Sequence, residues 1–288
     1  MTKSGATLAV AGDLLEDVVI WTRGPIERGN DNAATVYRSR GGSAANVAAA
    51  ASRRCPVRFI GRVGADARGD QLVAELHGTG IDVRVQRAGR TGTVVVLVDP
   101  DGERTMFPDR AAASELDTVD PGWLEGVGWL HVPLYGFTTP SARRSITELM
   151  GRMTALGAPT SIDVSAVSVM RELGTAPTMD LLDELAPKIV FANSDESDFL
   201  GLDVHTPPPG RTYIVKRGPA PVEIRTATGI ELVPVPRLTE VLDSTGAGDA
   251  FAAGFLSAVI VGSTVADAVR SGSDLASIAL GQPGALAG

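Results

Sequence analysis

The sequence predicts an α/β protein: a central, mostly parallel sheet with helices on both faces, plus a small separate β-sheet. Three observations carry this. Strand-like and helix-like stretches alternate over residues 7–77 and again over 129–192, which is the pattern of a parallel sheet covered on both sides. Between them, residues 81–107 hold β-branched runs joined by a tight turn rather than by helices. Near the other end, a glycine-rich turn at 243–248 feeds directly into a long helix-compatible run.

Residues 7–12 form a short apolar run ending in glycine and read as a buried strand. An Ala-rich helix is expected over 43–53, a strand over 57–61 and a helix over 68–77. The runs at 81–85 and 93–98, the turn Asp99-Pro100-Asp101-Gly102 and the return strand 104–107 read as hairpin strands. With 17–21 and 34–38 they are expected to make the small sheet, so its strands come from about 13–40 and 81–108. Alternation then resumes: strand 129–132, helix 141–156, strand 160–163, helical segments within 167–185, strand 188–192. The Pro-rich stretch 206–210 is a surface loop before a strand at 212–215, and helices are expected over 250–261 and 264–280. No internal repeat or linker divides the chain, so residues 1–288 are expected to act as one domain.

Composition narrows the function classes. A chain of 288 residues, 44% hydrophobic and 21% charged, can bury a large core. Its net charge of -8 and 5% aromatic content give neither a basic surface for a nucleic-acid backbone nor stacking platforms for bases. Cys55 is the sole cysteine, which excludes an internal disulfide and suits a reducing cytoplasm. The apolar stretches are too short or interrupted to span a bilayer, and a cytoplasmic protein is expected. The three histidines show neither zinc-ligand spacing nor a nucleophile partner.

The chemistry concentrates in Asp243-Ser244-Thr245-Gly246-Ala247-Gly248-Asp249-Ala250-Phe251. The first amides of a helix lack intrahelical partners and sit at the positive end of its dipole. Gly246, Ala247 and Gly248 can therefore turn amides toward a phosphate that a Cβ would hold off. Asp249 is the odd residue, because bound phosphate repels a carboxylate; it makes sense there as a base for a hydroxyl attacking that phosphate. On residues alone, a plain helix cap preceded by chance glycines accounts for the stretch equally well. Two other phosphate motifs do not apply: Phe251 stands where G-x-G-x-x-G needs its third glycine, and no G-x-x-x-x-G-K-[ST] occurs.

This stretch resembles the D-T-x-G-A-G-D-x-F signature of the ribokinase-like, PfkB-type family of carbohydrate and nucleoside kinases. Gly41-Gly42-Ser43-Ala44-Ala45-Asn46-Val47-Ala48 resembles the family's G-G-x-x-x-N-x-A motif, and Asn193-Ser194-Asp195-Glu196 its N-x-x-E element. The three stand in family order. The resemblance implies a ribokinase-like fold whose small sheet is a lid over the sugar, and an ATP-dependent kinase with Asp249 as catalytic base. It implies Asp17, Gly41, Gly42 and Asn46 as substrate-binding residues, with Asp13 a further candidate in the same loop. It implies Glu196 as the residue orienting a hydrated Mg2+, Asn193 as a phosphate-side contact, and Lys216 and Gly218 as part of the nucleotide loop. Pro221 stands where the family often has a second glycine, which leaves the path of that loop open. Asp243 with residues 279–284 is the place implied for K+, and homodimerisation through the lid is a further implication.

The residues leave competing readings for several of these. Asp13 and Asp17 also read as solvated loop acids, Gly41-Gly42 as a hinge before a helix capped by Ser43, and Asn193 with Glu196 as a helix cap. A small sugar is the first substrate expectation and a nucleoside the second. Leu15 departs from strict ribokinases, which resemblance would give an Asn there, and Ser165 departs from a D-x-N seen in many hexose and sugar-acid kinases. Trp21, Phe107 and Tyr135 are the candidates for a wall against a nucleobase. An idle sugar or nucleotide sensor on the same scaffold is a third expectation.

Overall fold

The computed structural model describes residues 6–238 and 241–281. The elements in chain order are β1 (Thr7–Gly12), β2 (Leu15–Thr22), β3 (Ala34–Gly41), α1 (Ser43–Ala51), β4 (Val57–Val63), α2 (Ala67–Gly78), β5 (Asp82–Arg87), β6 (Thr93–Val98) and β7 (Arg104–Asp109). They continue with β8 (Val127–Pro133), α3 (Pro140–Ala155), β9 (Thr160–Asp163), α4 (Val167–Leu173), α5 (Thr175–Leu185), β10 (Ile189–Asn193) and α6 (Ser194–Leu200). Last come β11 (Thr212–Arg217), β12 (Ala220–Thr226), β13 (Gly229–Val233), α7 (Ala247–Val259) and α8 (Val265–Leu280).

Among the described residues, nine strands form one sheet in the order β13-β12-β11-β10-β9-β8-β1-β4-β5. All its pairings are parallel except those of β12, which pairs antiparallel with β11 and β13. From β1 the chain winds outward through β4 to β5, then returns to β8 and winds the other way. That reversal opens a crevice beyond the C-terminal ends of β1 and β8, the position where open α/β sheets bind ligands.

A second sheet has the order β3-β2-β6-β7. One expectation is corrected here. The 81–85 run lies in β5, which pairs parallel with β4 at the edge of the large sheet and not with the small one. β4, α2 and β5 make a strand–helix–strand crossover, and such a unit returns its second strand to the same sheet. The small sheet is therefore drawn from residues 15–41 and 93–109.

The strands of the large sheet bury both faces, which is why they read as apolar runs rather than alternations. On one face Leu8, Val10 and Phe191 pack against α1, α7 and α8. On the other, Leu130, Val132 and Val190 pack against α3 and α5. α7 lies close on α8 because a Cβ at Gly254 would stand 2.5 Å from the Ser271 carbonyl oxygen. That intimate packing fixes the start of α7 at the crevice. Cys55 is half-buried and packs on the first of these cores. Among the described residues, no helix is long and apolar enough to cross a membrane.

Candidate active site

A cleft of about 1610 Å³ runs along the C-terminal strand ends, between the large sheet and the small one. Pockets for one small ligand usually measure about 300–1,000 Å³, so this cleft has room for two ligands side by side. Asp13, Asp17, Gly42 and Asn46 line it, as do Asn193, Glu196, Lys216, Gly218 and the segment 246–249. Gly41 and Asp243 do not line it.

α7 begins in the middle of the cleft. Gly246 adopts φ 71°, a left-handed conformation that favours glycine, and so turns the chain into the helix. The Gly246 and Gly248 amides make no hydrogen bond to other described residues, while that of Ala247 donates to the Ser244 carbonyl at 3.3 Å. Asp249 follows in the first turn. Its carboxylate accepts from Ser43 Oγ at 2.7 Å and from Asn46 Nδ2 at 3.0 Å, both on α1. Burial pushes its pKa up to about 7, with Asp163 and Asp13 adding to the rise and the two hydrogen bonds opposing it. The group therefore exchanges a proton near neutrality, where a general base works best.

Two further acids sit just after β1 and in β2. Asp13 is buried, and is not the solvated loop acid that the residues alone allowed. Its Oδ1 accepts from the Ala44 amide at 3.1 Å and its Oδ2 from Arg110 Nη1 at 2.6 Å. The glycine pair lets α1 start against these acids. A Cβ on Gly41 would stand 2.2 Å from Asp17 Oδ1, and one on Gly42, at φ 102°, 2.5 Å from the Asp13 carbonyl oxygen. Gly42, not Ser43, is the N-cap of α1, and this frees the Ser43 hydroxyl for Asp249. Burial pushes Asp17 up to about 6, helped by Asp13 and opposed by Arg40 and Arg110.

At the other end of the cleft Lys216 Nζ donates to Asp163 Oδ2 at 3.1 Å. A Cβ on Gly248 would lie 3.5 Å from that ammonium, so Lys216 stands beside the open amides of α7. Asn193 and Glu196 form a reciprocal capping box: Glu196 N donates to Asn193 Oδ1 at 2.9 Å and Asn193 N to Glu196 Oε2 at 2.8 Å. Glu196 nonetheless borders the cleft, and burial followed by the charge of Asp163 pushes it up to about 7. Two neighbouring carboxylates at the mouth of an anion site are a donor set that a hydrated hard cation suits. Among the described residues, no group of three or more His, Cys, Asp or Glu could enclose a metal directly.

The loop whose path Pro221 left open is a tight turn at Gly218, with φ 56°, joining β11 to β12. Pairing shifts between Val215 and Arg217, which leaves Pro221 in an irregular stretch of the ladder where its missing N–H costs nothing. Asp243, implied as a K+ ligand, pairs through Oδ1 with Arg104 of β7 and accepts there from the Thr245 amide at 2.7 Å. Of residues 279–284, implied as its companions, 282–284 lie outside the described residues.

The profile of the pfkB family of carbohydrate kinases matches residues 6–288. The chain belongs to this family. Relatives of this pfkB kinase include an ATP-dependent ribose-1-phosphate kinase of Halopiger xanaduensis, 29% identical over 263 residues, which cover 86% of this chain and 82% of that protein. A fructokinase of Klebsiella pneumoniae is 30% identical over 244 residues, covering 78% of each. Among solved structures, adenosine kinase from Sinorhizobium meliloti superposes with a TM-score of 0.84 at 21% identity, over 98% of this chain and 95% of that one. Fructokinase with bound ATP from Xylella fastidiosa gives 0.81 at 23% identity, over 97% and 93%. These two show a shared fold. Family membership makes the protein a phosphotransferase that acts on a sugar, with ATP as the phosphoryl donor.

Several interactions of this pfkB kinase escaped the sequence reading. Ser43 orients Asp249, and Asp163 pairs with Lys216. Arg104 enters from β7 of the small sheet and Arg110 from the residue just beyond it; Arg104 contacts Thr245 as well as Asp243. A signal existed for Arg104: it lines the cleft with Met106 and Pro108, and a spacing of two puts these three on one face of a strand.

Proposed function

We propose that Asp249 is the general base of the phosphoryl transfer and that the acceptor is a small sugar bound between Asp17, Asn46 and the small sheet. The acceptor hydroxyl gives its proton to Asp249 as its oxygen bonds to the γ-phosphorus; the bridging bond to the β-phosphate breaks and ADP leaves. The amides of Gly246 and Gly248, with Lys216 beside them, carry the charge that develops on the transferring group. Glu196 and Asp163 would hold Mg2+ through water, and that ion would neutralise the β- and γ-oxygens. Asn193 and Gly218 line the nucleotide side, and Asp13 stiffens the acceptor side by joining α1 to Arg110. The small sheet acts as a lid on the large one, so that the chain works as one catalytic unit in the cytoplasm. The lid leaves Val36, Tyr37 and Phe107 exposed, the surface through which a homodimer would form.

One observation carries this reading: a carboxylate tuned to about 7 stands in the first turn of the helix whose open amides face the cleft. A sugar is favoured over a nucleoside because Trp21 and Phe107 do not line the cleft, and the Tyr135 ring is covered by the Arg110 guanidinium at 3.9 Å. The test is ADP release with magnesium ATP, with and without K+, against ribose, fructose, a keto-sugar acid and adenosine. Turnover on a sugar above that on adenosine supports it, and a preference for adenosine overturns it. Since Arg104 already neutralises Asp243, K+ should change turnover less than about twofold, far below the tenfold that 1.4 kcal/mol of transition-state stabilisation would give.

A further inference from the structure

β7 carries Arg104, Met106 and Pro108 over the cleft, and Arg110, the first residue beyond the strand, lines it as well. The two arginines stand at opposite ends of β7, whose rise is about 3.3 Å per residue, with Met106 and Pro108 between them. Arg104 reaches the 243–245 segment before α7, so it belongs to the phosphoryl end. Arg110 belongs to the acceptor end, with Asp13 and Tyr135.

Arg110 is built as more than a counter-ion for Asp13. It spends Nη1 on Asp13, and its remaining N–H groups make no hydrogen bond to other described residues. Its guanidinium lies 3.9 Å from the Tyr135 ring centroid, and both residues line the cleft. Tyr135 also lines the cleft, and its hydroxyl makes no hydrogen bond to other described residues. Burial pushes that phenol up to about 12, so it remains a donor at any physiological pH. A planar fork of guanidinium donors beside a phenolic O–H suits a group with several acceptor oxygens and a negative charge. A neutral sugar hydroxyl would need acceptors as well, and neither group supplies one beyond the phenolic oxygen.

The geometry points to an anionic acceptor: a sugar bearing a phosphate or carboxylate, held by Arg110 and Tyr135 while a hydroxyl elsewhere on it faces Asp249. This rests on the kinase reading for the hydroxyl's fate, and the anion site itself is testable without turnover. The experiment is calorimetric titration of the intact protein, without ATP, using paired ligands: ribose and ribose 1-phosphate, fructose and fructose 6-phosphate, and an aldose beside its aldonic acid. The anionic member should bind at least about tenfold tighter in one or more pairs, the equivalent of one charge-assisted contact. The pair that responds tells phosphate from carboxylate.

Two variants locate the effect. Arg110→Lys keeps a cation beside Asp13 but loses the planar fork, and Tyr135→Phe keeps the ring but loses the hydroxyl. Each should reduce the anion-over-neutral ratio by about three- to tenfold. Equal binding of charged and neutral members in every pair overturns the inference, as does a loss in both variants that is the same for both members. Retained anion preference without any ADP release would leave this inference standing and sink the assigned chemistry instead.

Discussion

Ser43 Oγ donates a 2.7 Å hydrogen bond to Asp249 Oδ1 across 206 residues of sequence. It ties the start of α1 to the start of α7, so one glycine-rich motif positions the carboxylate of the other. The hydroxyl stabilises the ionised carboxylate and holds its pKa below what burial alone would impose.

Ser43→Ala should therefore raise the Asp249 pKa. Because the base works only when deprotonated, the acid limb of the kcat–pH profile should move from near 7 to higher pH by about one unit, the equivalent of one hydrogen bond to a charged group. Activity lost at pH 7 should return at pH 9. A limb that stays in place would show that Ser43 only packs.

Folding stability should respond to the same group. The folded pKa of Asp249, about 7, lies above the ordinary value of 3.8, so between those values the folded state holds the extra proton. Stability contributed at low pH is lost as pH rises through that window. Asp249→Asn removes the titration, so its melting temperature should gain on the wild type between pH 5 and pH 8, by about 2 °C or more. A difference that is flat with pH would contradict the raised value.

Gly248 separates fold from function. A Cβ there meets nothing closer than Lys216 Nζ at 3.5 Å, an ordinary contact. Gly248→Ala should keep or raise stability, by up to about 1 kcal/mol for glycine replaced within a helix. It should nevertheless lower kcat about tenfold or more, because the methyl stands at the open amides. Thermal melting and steady-state kinetics on one preparation check both halves.

Glu196→Gln keeps the capping box, since glutamine fills that position as well, and removes only the charge. The Mg2+ concentration for half-maximal activity should rise about tenfold or more, the usual cost of losing an outer partner of a metal. An unchanged magnesium titration would leave Glu196 as a cap alone.

Much of this was legible because the turns that open α7 and α1 are built from backbone, and backbone demands show as glycines: Gly246 needs a left-handed conformation and Gly42 a close approach to Asp13. The acceptor end is built from side chains that meet across elements. Arg110, just after β7, meets Asp13, just after β1, although the two strands lie in different sheets, and local spacing does not say which sheet a strand joins. The same limit put residues 81–85 in the wrong sheet, although the preceding helix α2 marked a crossover. The hairpin β12–β13 went unread because Pro221 and Gly229 interrupt any strand period.

The most direct test of the central claim is kcat for Asp249→Asn beside wild type, with acceptor KM measured for both. Removal of a general base should lower kcat by about 10²- to 10⁴-fold while KM stays within about threefold. A kcat within threefold of wild type would contradict the assignment of Asp249 as the base.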